Sequence, residues 1–402
     1  MRLIVFVCAA LLSVWLTFCS LGPLLSCILQ AGIDWWTALL EQLLQNAGTA
    51  PLLRGLVIDG ICTGVGSVLS FLPVIAVLFF CLSCWEQSGA LSMLSRLWDE
   101  PLQKLGLSGA SAVPLLLGFG CSVPAIMEAA RLEPQRQKYR TVFLIPFLSC
   151  SAKLPLYAMI AAAFFQKHKL LLTGSLYLSG ILLGAGLLRL RTVLQAPRKR
   201  HVCLTACSGA PVRRPAQAPP ALRRPSVTAV CTQTWTSSRA YMQKIFTVVL
   251  LASCVIWFLE HFTPGLSQAA APQESILAAI GRFTAPLFAP LGFGDWRAAA
   301  ALLTGLSAKE AIVSTLAVLA EAQTPQLTLD ALLPRIFTPL SAYAFAVFCL
   351  LYMPCIATLT AVRKTLNSWP RALAMLLTQT GLAWLAAHLI WQIGSALLRF
   401  AS

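Results

Sequence analysis

The chain has 402 residues, of which 58% are apolar and only 11% are charged, and its formal net charge is +16. Soluble domains carry about 25% charged residues because their surface faces water, so this composition excludes an ordinary soluble domain. The Lys and Arg residues are concentrated in short segments between apolar stretches, which argues against nucleic acid as a partner and favours a membrane protein.

Seven apolar stretches are long enough to cross a bilayer, since a helix needs about 20 apolar residues to span a core of ~30 Å. In chain order they are Ile4–Cys27, Leu69–Trp85, Thr141–Phe165, Leu170–Leu190, Tyr241–Glu260, Pro339–Ala361 and Arg371–Leu398. For the first stretch, a cleaved signal peptide is the alternative. The weakly charged segment Ile28–Ser67 is predicted to be an external loop, with Trp35 and Trp36 at the membrane interface.

Two further apolar stretches, Leu105–Arg131 and Leu291–Ala320, are interrupted by Gly, Pro or charge and are predicted to be broken, re-entrant helices. They share two dipeptides at an offset of 186 residues: Leu105-Gly106 with Leu291-Gly292, and Ala125-Ile126 with Ala311-Ile312. Each is followed by a spanning stretch with Cys and Pro near its middle. We therefore expect an inverted repeat, which is a transporter architecture, although chance matching of apolar residues is the alternative.

The distribution of charge predicts which segments lie in the cytoplasm. No Asp or Glu occurs between Pro134 and Leu259, and Lys and Arg cluster in Arg131–Arg140 and Arg189–Arg224. The positive-inside rule places both clusters in the cytoplasm. The second cluster is rich in Pro and Ala without apolar periodicity, so it is predicted to be a largely disordered loop. His201, Cys203, Cys207 and Cys231 belong to this region, and their irregular spacing favours incidental residues over a metal site.

These features divide the chain into five parts. They are N-terminal membrane helices (1–104), a first gate repeat (105–190), a basic cytoplasmic loop (191–240), a linking helix with a second gate repeat (241–361) and a C-terminal membrane helix (362–402). The predicted fold is therefore an all-α polytopic membrane protein. It has about seven spanning helices and two broken segments.

The candidate functional side chains lie where the helices are interrupted. Gly and Pro free backbone carbonyls there, and such groups are tolerated at membrane depth only inside protein or beside a cavity. The interrupting residues are Gly120, Pro124, Pro146 and Pro354. Cys121, Cys150 and Cys355 lie close to them and are soft ligands that suit a transition metal, although simple packing is the alternative for each thiol. Lys309 and Glu310 lie in an apolar stretch, where each charge costs about 3 kcal/mol, and a structural ion pair is the alternative there.

A series of short motifs runs through nearly the whole chain. Gly120–Ala125 reads Gly-Cys-Ser-Val-Pro-Ala, and Pro146–Pro155 reads Pro-Phe-Leu-Ser-Cys-Ser-Ala-Lys-Leu-Pro. Further motifs follow the same order along the chain: Asp59–Pro73, Val255–Leu259, Pro290–Phe293, Ala308–Glu310 and Tyr352–Cys355. Together they resemble the membrane domain of the FeoB family of bacterial ferrous-iron transporters, whose first two motifs are Gly-Cys-Asn-Val-Pro-Ala and Pro-Phe-Met-Ser-Cys-x-Ala-Arg-Leu-Pro.

The resemblance implies a permease for Fe²⁺ in the bacterial inner membrane rather than an enzyme. Cys121, Cys150 and Cys355 would be transient iron ligands, and Glu310 would be a hard oxygen ligand or a gate charge. Lys153, which stands where the family has Arg, and Lys309 would act in gating. A different divalent metal, such as Mn²⁺ or Zn²⁺, is the alternative substrate.

Several departures from the family pattern define the alternative to transport. Ser122 replaces an Asn, Thr365 replaces a Glu, and the Arg expected after the first motif falls one place late, at Arg131. Ser122, Lys153 and Thr365 mildly favour a transport-inactive membrane scaffold that binds a partner through its basic loop, and the three retained thiols oppose it. The sequence also contains no Gly-x-x-x-x-Gly-Lys-Ser/Thr phosphate loop. We therefore expect no cofactor in this chain, with GTP acting only through a separate G protein and a small FeoA-like protein as a further partner. A homo-oligomer is left open.

Overall fold

The computed structural model of the chain describes residues 17, 20–194, 225–321, 329–352 and 355–401, which are helical apart from short connections. The helices are α1 (Leu21–Asn46), α2 (Pro51–Gln87), α3 (Ala90–Leu97), α4 (Asp99–Gln103), α5 (Ala112–Gly120), α6 (Ser122–Ala129), α7 (Gln135–Leu144), α8 (Leu154–Phe164), α9 (Lys169–Leu194), α10 (Val227–His261), α11 (Ile276–Phe288), α12 (Trp296–Thr304), α13 (Ala311–Glu321), α14 (Leu329–Ile336), α15 (Pro339–Leu351), α16 (Ile356–Leu366) and α17 (Trp369–Ala401). Within α2, a π-helical stretch, Leu56–Cys62, interrupts the α-helix.

Seven helical units of the described chain are long and apolar enough to cross a membrane. They are α1, α2, α7 with α8, α9, α10, α15 with α16, and α17. The segments Ile276–Leu291 and Trp296–Thr304 make an eighth if this pair, bent by 106°, counts as one span. The prediction of an all-α, multi-pass membrane protein with about seven spans is confirmed.

The prediction for the N-terminal part is wrong in one respect. The segment 28–67, predicted to be an external loop, is occupied by most of α1 and the beginning of α2. The break between these helices is short, because Gly48 has a positive φ of 63° and Pro51 begins the next helix. The predicted first span, Ile4–Cys27, lies mostly outside the described residues. Among the described residues of this region, the candidate spanning helix is Leu21–Asn46.

The described ends of the predicted basic loop are helical. Helix α9 continues to Leu194, and α10 begins at Val227, although residues 191–240 were assigned to the loop. Cys231 lies exposed on α10. Residues 195–224, including His201, Cys203 and Cys207, lie outside the described residues. No Pro follows Pro225 until Pro264, so nothing in the sequence interrupts α10 over its 35 residues.

The two interrupted spans form the interior of the molecule. In the most apolar windows of α7–α8 and α15–α16, 67% and 75% of the residues are buried, whereas the corresponding shares for α9, α10 and α17 are 22%, 12% and 22%. The latter helices expose Leu or Phe side chains, such as Leu170 and Leu182 of α9, outward. Non-helical backbone at membrane depth must be enclosed by protein. The continuous helices therefore surround the interrupted ones.

The two predicted broken stretches are interrupted as expected, and they share local geometry. Gly106 and Gly292, which are 186 residues apart, both adopt a positive φ, of 73° and 85°. An added Cβ would lie 2.3 Å from Arg140 at the first position and 2.4 Å from Trp391 at the second. Ala125 is fully buried, and so is Ile312, the counterpart of Ile126. In addition to the predicted break in Leu291–Ala320, the chain bends sharply just before α12. These matches support the predicted repeat.

Candidate functional site

The first break separates α5 from α6 at a single residue, Cys121. Its φ of −149° and ψ of 131° are extended, so it ends α5 and also begins α6. Pro124 is buried in the first turn of α6. The N–H groups of a first turn have no partner within the helix, so a Pro is tolerated there. The chain thereby presents a thiol between two helix ends. The Gly120 carbonyl at the end of α5 is free to accept a bond from elsewhere.

The second break, between α7 and α8, consists of short 3₁₀ turns joined by extended residues. Pro146 lies in the first turn, Ile145–Phe147, and Cys150 precedes the second turn in extended conformation. The Ser151 hydroxyl donates a hydrogen bond of 2.9 Å to the Gly120 carbonyl. This bond joins the second break to the first and holds Cys121 and Cys150 on facing segments.

Lys153 connects the two interrupted spans. It is only 5% exposed, and its Nζ donates hydrogen bonds to the carbonyls of Leu148, at 3.2 Å, and Leu350, at 2.7 Å. Both carbonyls lie close to helix ends, where no N–H group of the same helix is available to bond to them. Lys153 therefore satisfies backbone groups that the breaks leave open.

The breaks of the second repeat are joined in a similar way. The Ile356 N–H at the start of α16 donates a bond of 2.8 Å to the carbonyl of Leu306, which follows α12. Leu306 lies 186 residues after Gly120. In each repeat, the carbonyl at this position thus accepts a bond from the interrupted span that follows. Beside this junction, the Cys355 thiol lies 3.2 Å from the Thr358 hydroxyl.

Lys309 and Glu310 lie in the break between α12 and α13. Lys309 is 4% exposed, and its Nζ lies 3.2 Å from the centre of the Tyr352 ring, which is a cation–π arrangement. The Tyr352 hydroxyl donates to the carbonyl of Leu302, at 3.1 Å, which fixes the ring.

All these breaks meet at one cavity of about 120 Å³, the central cavity. Its lining includes eight of the candidate residues: Gly120, Cys121, Pro146, Cys150, Lys153, Lys309, Glu310 and Cys355. Cys121 is close enough to the other two thiols and to Glu310 to interact electrostatically with them. A cavity of this size has room for an ion and a few water molecules.

The arrangement gathers the candidate ligands without closing them into a coordination shell. In the described part of the chain, no group of three or more His, Cys, Asp or Glu side chains is close enough together to hold a metal ion. The assignment of Cys121, Cys150, Cys355 and Glu310 as ligands therefore stays a prediction. Pro124 is buried but does not line the cavity, and Pro354 lies outside the described residues.

Three lining residues escaped the sequence analysis. Ser151 and Thr358 each lie within three residues of a candidate Cys, so a search for hydroxyls beside the motifs would have found them. Tyr241 lies beside Cys121 and is 7% exposed. It carried no signal, since it stands at the start of an apolar stretch without a motif.

Comparisons with known proteins match the same region. Residues 68–164 and 242–369, which make up more than half of the chain, match the Gate family model, described as nucleoside recognition. These ranges contain all the breaks that line the central cavity. No solved structure matches the chain.

Curated relatives carry the FeoB name. The Fe(2+) transporter FeoB of Staphylococcus aureus (strain MSSA476) is 35% identical over 94% of this chain and 55% of its own length. That of Methanocaldococcus jannaschii is 34% identical over 91% and 54%. An Fe(2+) transport protein A/Fe(2+) transporter FeoB fusion protein of Porphyromonas gingivalis is 31% identical over 91% and 47%. The chain spans about half the length of these relatives. The resemblance to FeoB that the motifs predicted is confirmed, and the chain belongs to the Gate family.

Proposed function

We propose that this chain carries Fe²⁺ across the bacterial inner membrane through the central cavity. The observation that supports this most is the meeting of four helix breaks at a cavity with three thiols and one carboxylate. Interrupted helices at membrane depth are the usual setting for an ion site in a transporter. The names of the relatives, Fe(2+) transporter FeoB, favour ferrous iron as the ion.

The chemistry of the cavity suits a transition metal that must also leave. Thiolates prefer transition metals to sodium or magnesium, and Glu310 adds a hard oxygen donor. Because these donors are not closed around one point, each ion–ligand bond can form and break singly. Conduction requires binding that is strong enough for the ion to enter and weak enough for it to leave.

The structure also bears on the alternative of a scaffold that has lost transport. Lys153, one of the departures that favoured it, keeps two carbonyls bonded across the interrupted spans, at 3.2 and 2.7 Å. A Lys at this position thus performs a connecting role that an Arg could also perform. The departure does not dismantle the site, so it gives the scaffold little support.

We further propose that GTP acts on this chain through a G protein and that no nucleotide or other cofactor binds here. One relative is a fusion of Fe(2+) transport protein A with FeoB, which supports a small FeoA-like partner. A contact of α4 with the start of the first broken stretch supports α3–α4 as the segment through which the G protein would displace the cavity-lining helices. The Gly109 N–H, just before α5, donates to the Asp99 carboxylate of α4 at 2.7 Å.

Uptake of labelled Fe²⁺ into proteoliposomes tests the function. The purified chain is reconstituted with and without a candidate G protein and GTP, and parallel vesicles receive Mn²⁺, Zn²⁺ or labelled adenosine, the last because of the family description. We expect Fe²⁺ uptake that exceeds that of protein-free vesicles and that the G protein stimulates. Uptake of Mn²⁺ or Zn²⁺ without uptake of Fe²⁺ would show that the substrate is that metal and not ferrous iron. Absence of uptake in all vesicles that contain G protein and GTP would contradict transport.

A further inference from the structure

Two more cavities lie against the central cavity. The outer cavity has six polar lining residues: Gln30, Asp34, Thr37, Thr63, Ser70 and Glu310. The inner cavity is lined by residues of α6 and α16, among them Met127, Thr360 and Lys364. The outer and central cavities share Phe71 and Glu310, and the central and inner cavities share Val123 and Ala357. The three cavities therefore form a row.

The order of the row follows from the helices that line it. Along α2, the outer cavity is lined by residues between 58 and 71, and the central cavity by residues between 68 and 78. Along α6, the central cavity is lined by Ser122 and Val123 and the inner cavity by residues from Val123 to Ala130. The row thus runs in the direction in which α2 and α6 proceed.

The charges at the end of α2 indicate which mouth faces which side. Glu86, near this end, lies 4.0 Å from Arg131, which belongs to the predicted cytoplasmic cluster. The outer cavity lies near the opposite end of the same membrane helix. The outer cavity, with Asp34, therefore lies on the external side of the central cavity.

The polar groups of the outer cavity hold one another in position. The Gln30 side-chain amide donates 2.8 Å to the Asp34 carboxylate, and the Ser70 hydroxyl lies in hydrogen-bonding contact with the Gln30 carbonyl oxygen. The wall between Ile58 and Cys62 belongs to the π-helical stretch of α2. Such stretches are rare and occur frequently at functional sites. A helix that needed only to span the membrane would require neither feature.

The chemistry changes along the row. The outer cavity offers mainly carboxylate, amide and hydroxyl oxygens, with one thiol, that of Cys62, and such oxygens suit a divalent cation that still carries water. The central cavity offers three thiols. The described residues that line the inner cavity include no carboxylate, and Lys364 lies among them. A cation would thus meet its strongest attraction at the outer mouth, and it would leave through a part of the path that does not retain it.

We propose that the outer cavity is a binding site for hydrated Fe²⁺, in which Asp34 and Glu310 attract the ion before it passes to the thiols of the central cavity. Glu310 faces both cavities and hands the ion from oxygen to sulfur ligands. The ion stays ferrous throughout and exchanges water for protein ligands one at a time. This inference rests on the proposed function for its substrate and for the direction of the path.

Equilibrium binding of ⁵⁵Fe²⁺ under anaerobic conditions tests the site on the full chain in lipid nanodiscs. A background variant with Cys121→Ser, Cys150→Ser and Cys355→Ser removes the central thiols. In this background, we expect one saturable site that Asp34→Asn weakens about tenfold, because an attractive charge next to the ion is lost. Glu41→Gln is the matched control. Glu41 lies on the same helix and also accepts a bond from a Gln four residues away, Gln45, at 3.3 Å, but it lines none of the cavities.

The outcomes separate the site from the proposed function. A saturable site that Asp34→Asn weakens and Glu41→Gln leaves unchanged supports the proposal. The proposal is overturned if the background variant retains no saturable site, or if both substitutions change binding equally. Uptake by the unmodified chain is measured in parallel. Binding that depends on Asp34 in a chain that transports no iron would leave the site standing and contradict the proposed function.

Discussion

At the scale of single residues, Lys153 stands out because its charged group is buried between the two interrupted spans. Its ammonium group is buried and bonds to the carbonyls of Leu148 and Leu350, which are near the ends of two different helices. A buried charge persists only where polar groups surround it, and hydrogen bonds from charged donors contribute about 1.5–3 kcal/mol each. The side chain therefore positions both interrupted spans relative to each other.

Replacement of Lys153 should separate this positioning role from charge. We expect Lys153→Met to lower Fe²⁺ uptake about tenfold or more, the factor that about 1.4 kcal/mol of lost positioning energy produces. Lys153→Arg should retain most of the uptake, because a guanidinium can donate to both carbonyls. Lys167→Met, on the turn before α9, serves as the control. Equal loss with Met and Arg at position 153 would show that the two hydrogen bonds are not what matters.

The thiols can be tested against thiols of the same protein. Cys121→Ser and Cys150→Ser should each cut Fe²⁺ uptake severely, because a hydroxyl keeps the size of the side chain but loses the soft ligand. Cys81→Ser and Cys254→Ser should change it little, since neither residue lines the central cavity. Uptake is compared at equal abundance in the membrane. The ligand assignment fails if all four variants transport alike.

At the scale of helices, the short segment α3–α4 is packed directly against the start of the first broken stretch. An added Cβ on Gly109 would lie 1.8 Å from the carbonyl oxygen of Ser95 in α3. The Ser108 N–H also donates to the Gln137 side chain at the start of α7, at 2.9 Å. A displacement of α3 would thus reach both α5 and α7.

Substitution of Gly109 should loosen this contact. We expect Gly109→Ala to destabilise the protein by about 1–3 kcal/mol, the usual cost of forcing extra volume into a packed site. Gly174→Ala on α9 is the matched control, because an added Cβ there meets nothing within 4 Å. Thermal unfolding of both variants in the same detergent measures the difference. Similar midpoints would show that α3 is not held by this contact.

The helices could be predicted largely from the sequence, because a spanning helix requires a long apolar stretch that is visible in the sequence. The breaks could also be predicted, since Gly and Pro interrupt apolar stretches there. Helix α1 differs from the prediction because polar residues such as Gln30, Asp34 and Glu41 interrupt its apolar character. Trp35 and Trp36 are equally typical of an interfacial loop. The sequence could not show that Lys153 bonds to Leu350, which is 197 residues away. Such pairing depends on how the helices pack.

At the scale of the whole molecule, the distribution of charge and the order of the cavities indicate the same orientation in the membrane. The predicted cytoplasmic cluster includes Arg131, which approaches Glu86 at 4.0 Å and Glu128 at 3.1 Å. The opposite end carries the connection after α10, which includes Gln268–Gln273. The positive-inside rule predicts that this connection is external.

Labelling of single cysteines from each side tests this orientation. In a background without the competing thiols, a cysteine at Gln273 should react with an impermeant reagent added outside. A cysteine at Arg96 should react only after the membrane is opened. Reaction of both from the same side would reverse or break the predicted inverted arrangement.

The last prediction concerns how a G protein would act on the whole molecule. Two segments are predicted to face the cytoplasm: the segment from Glu86 to Lys104, and the basic segment 198–224, which lies outside the described residues and carries the positive charge that attracts an acidic partner. The segment from Glu86 to Lys104 contacts the first broken stretch, through the bond from the Gly109 N–H to the Asp99 carboxylate. We therefore expect deletion of 202–224 to weaken binding of the G protein. Charge reversal with Arg96→Glu and Lys104→Glu should abolish its stimulation of uptake while binding persists.

The two effects are measured separately, by sedimentation of the G protein with nanodiscs and by GTP-dependent uptake. The basic segment is expected to attract the G protein, because its many Lys and Arg residues face no local carboxylates. Force must pass through α3–α4 to α5, and from the end of α5 to Cys121. Full GTP-stimulated uptake after both changes would place the coupling surface elsewhere. If the charge reversal alone abolishes binding, the segment from Glu86 to Lys104 both binds the G protein and transmits its effect.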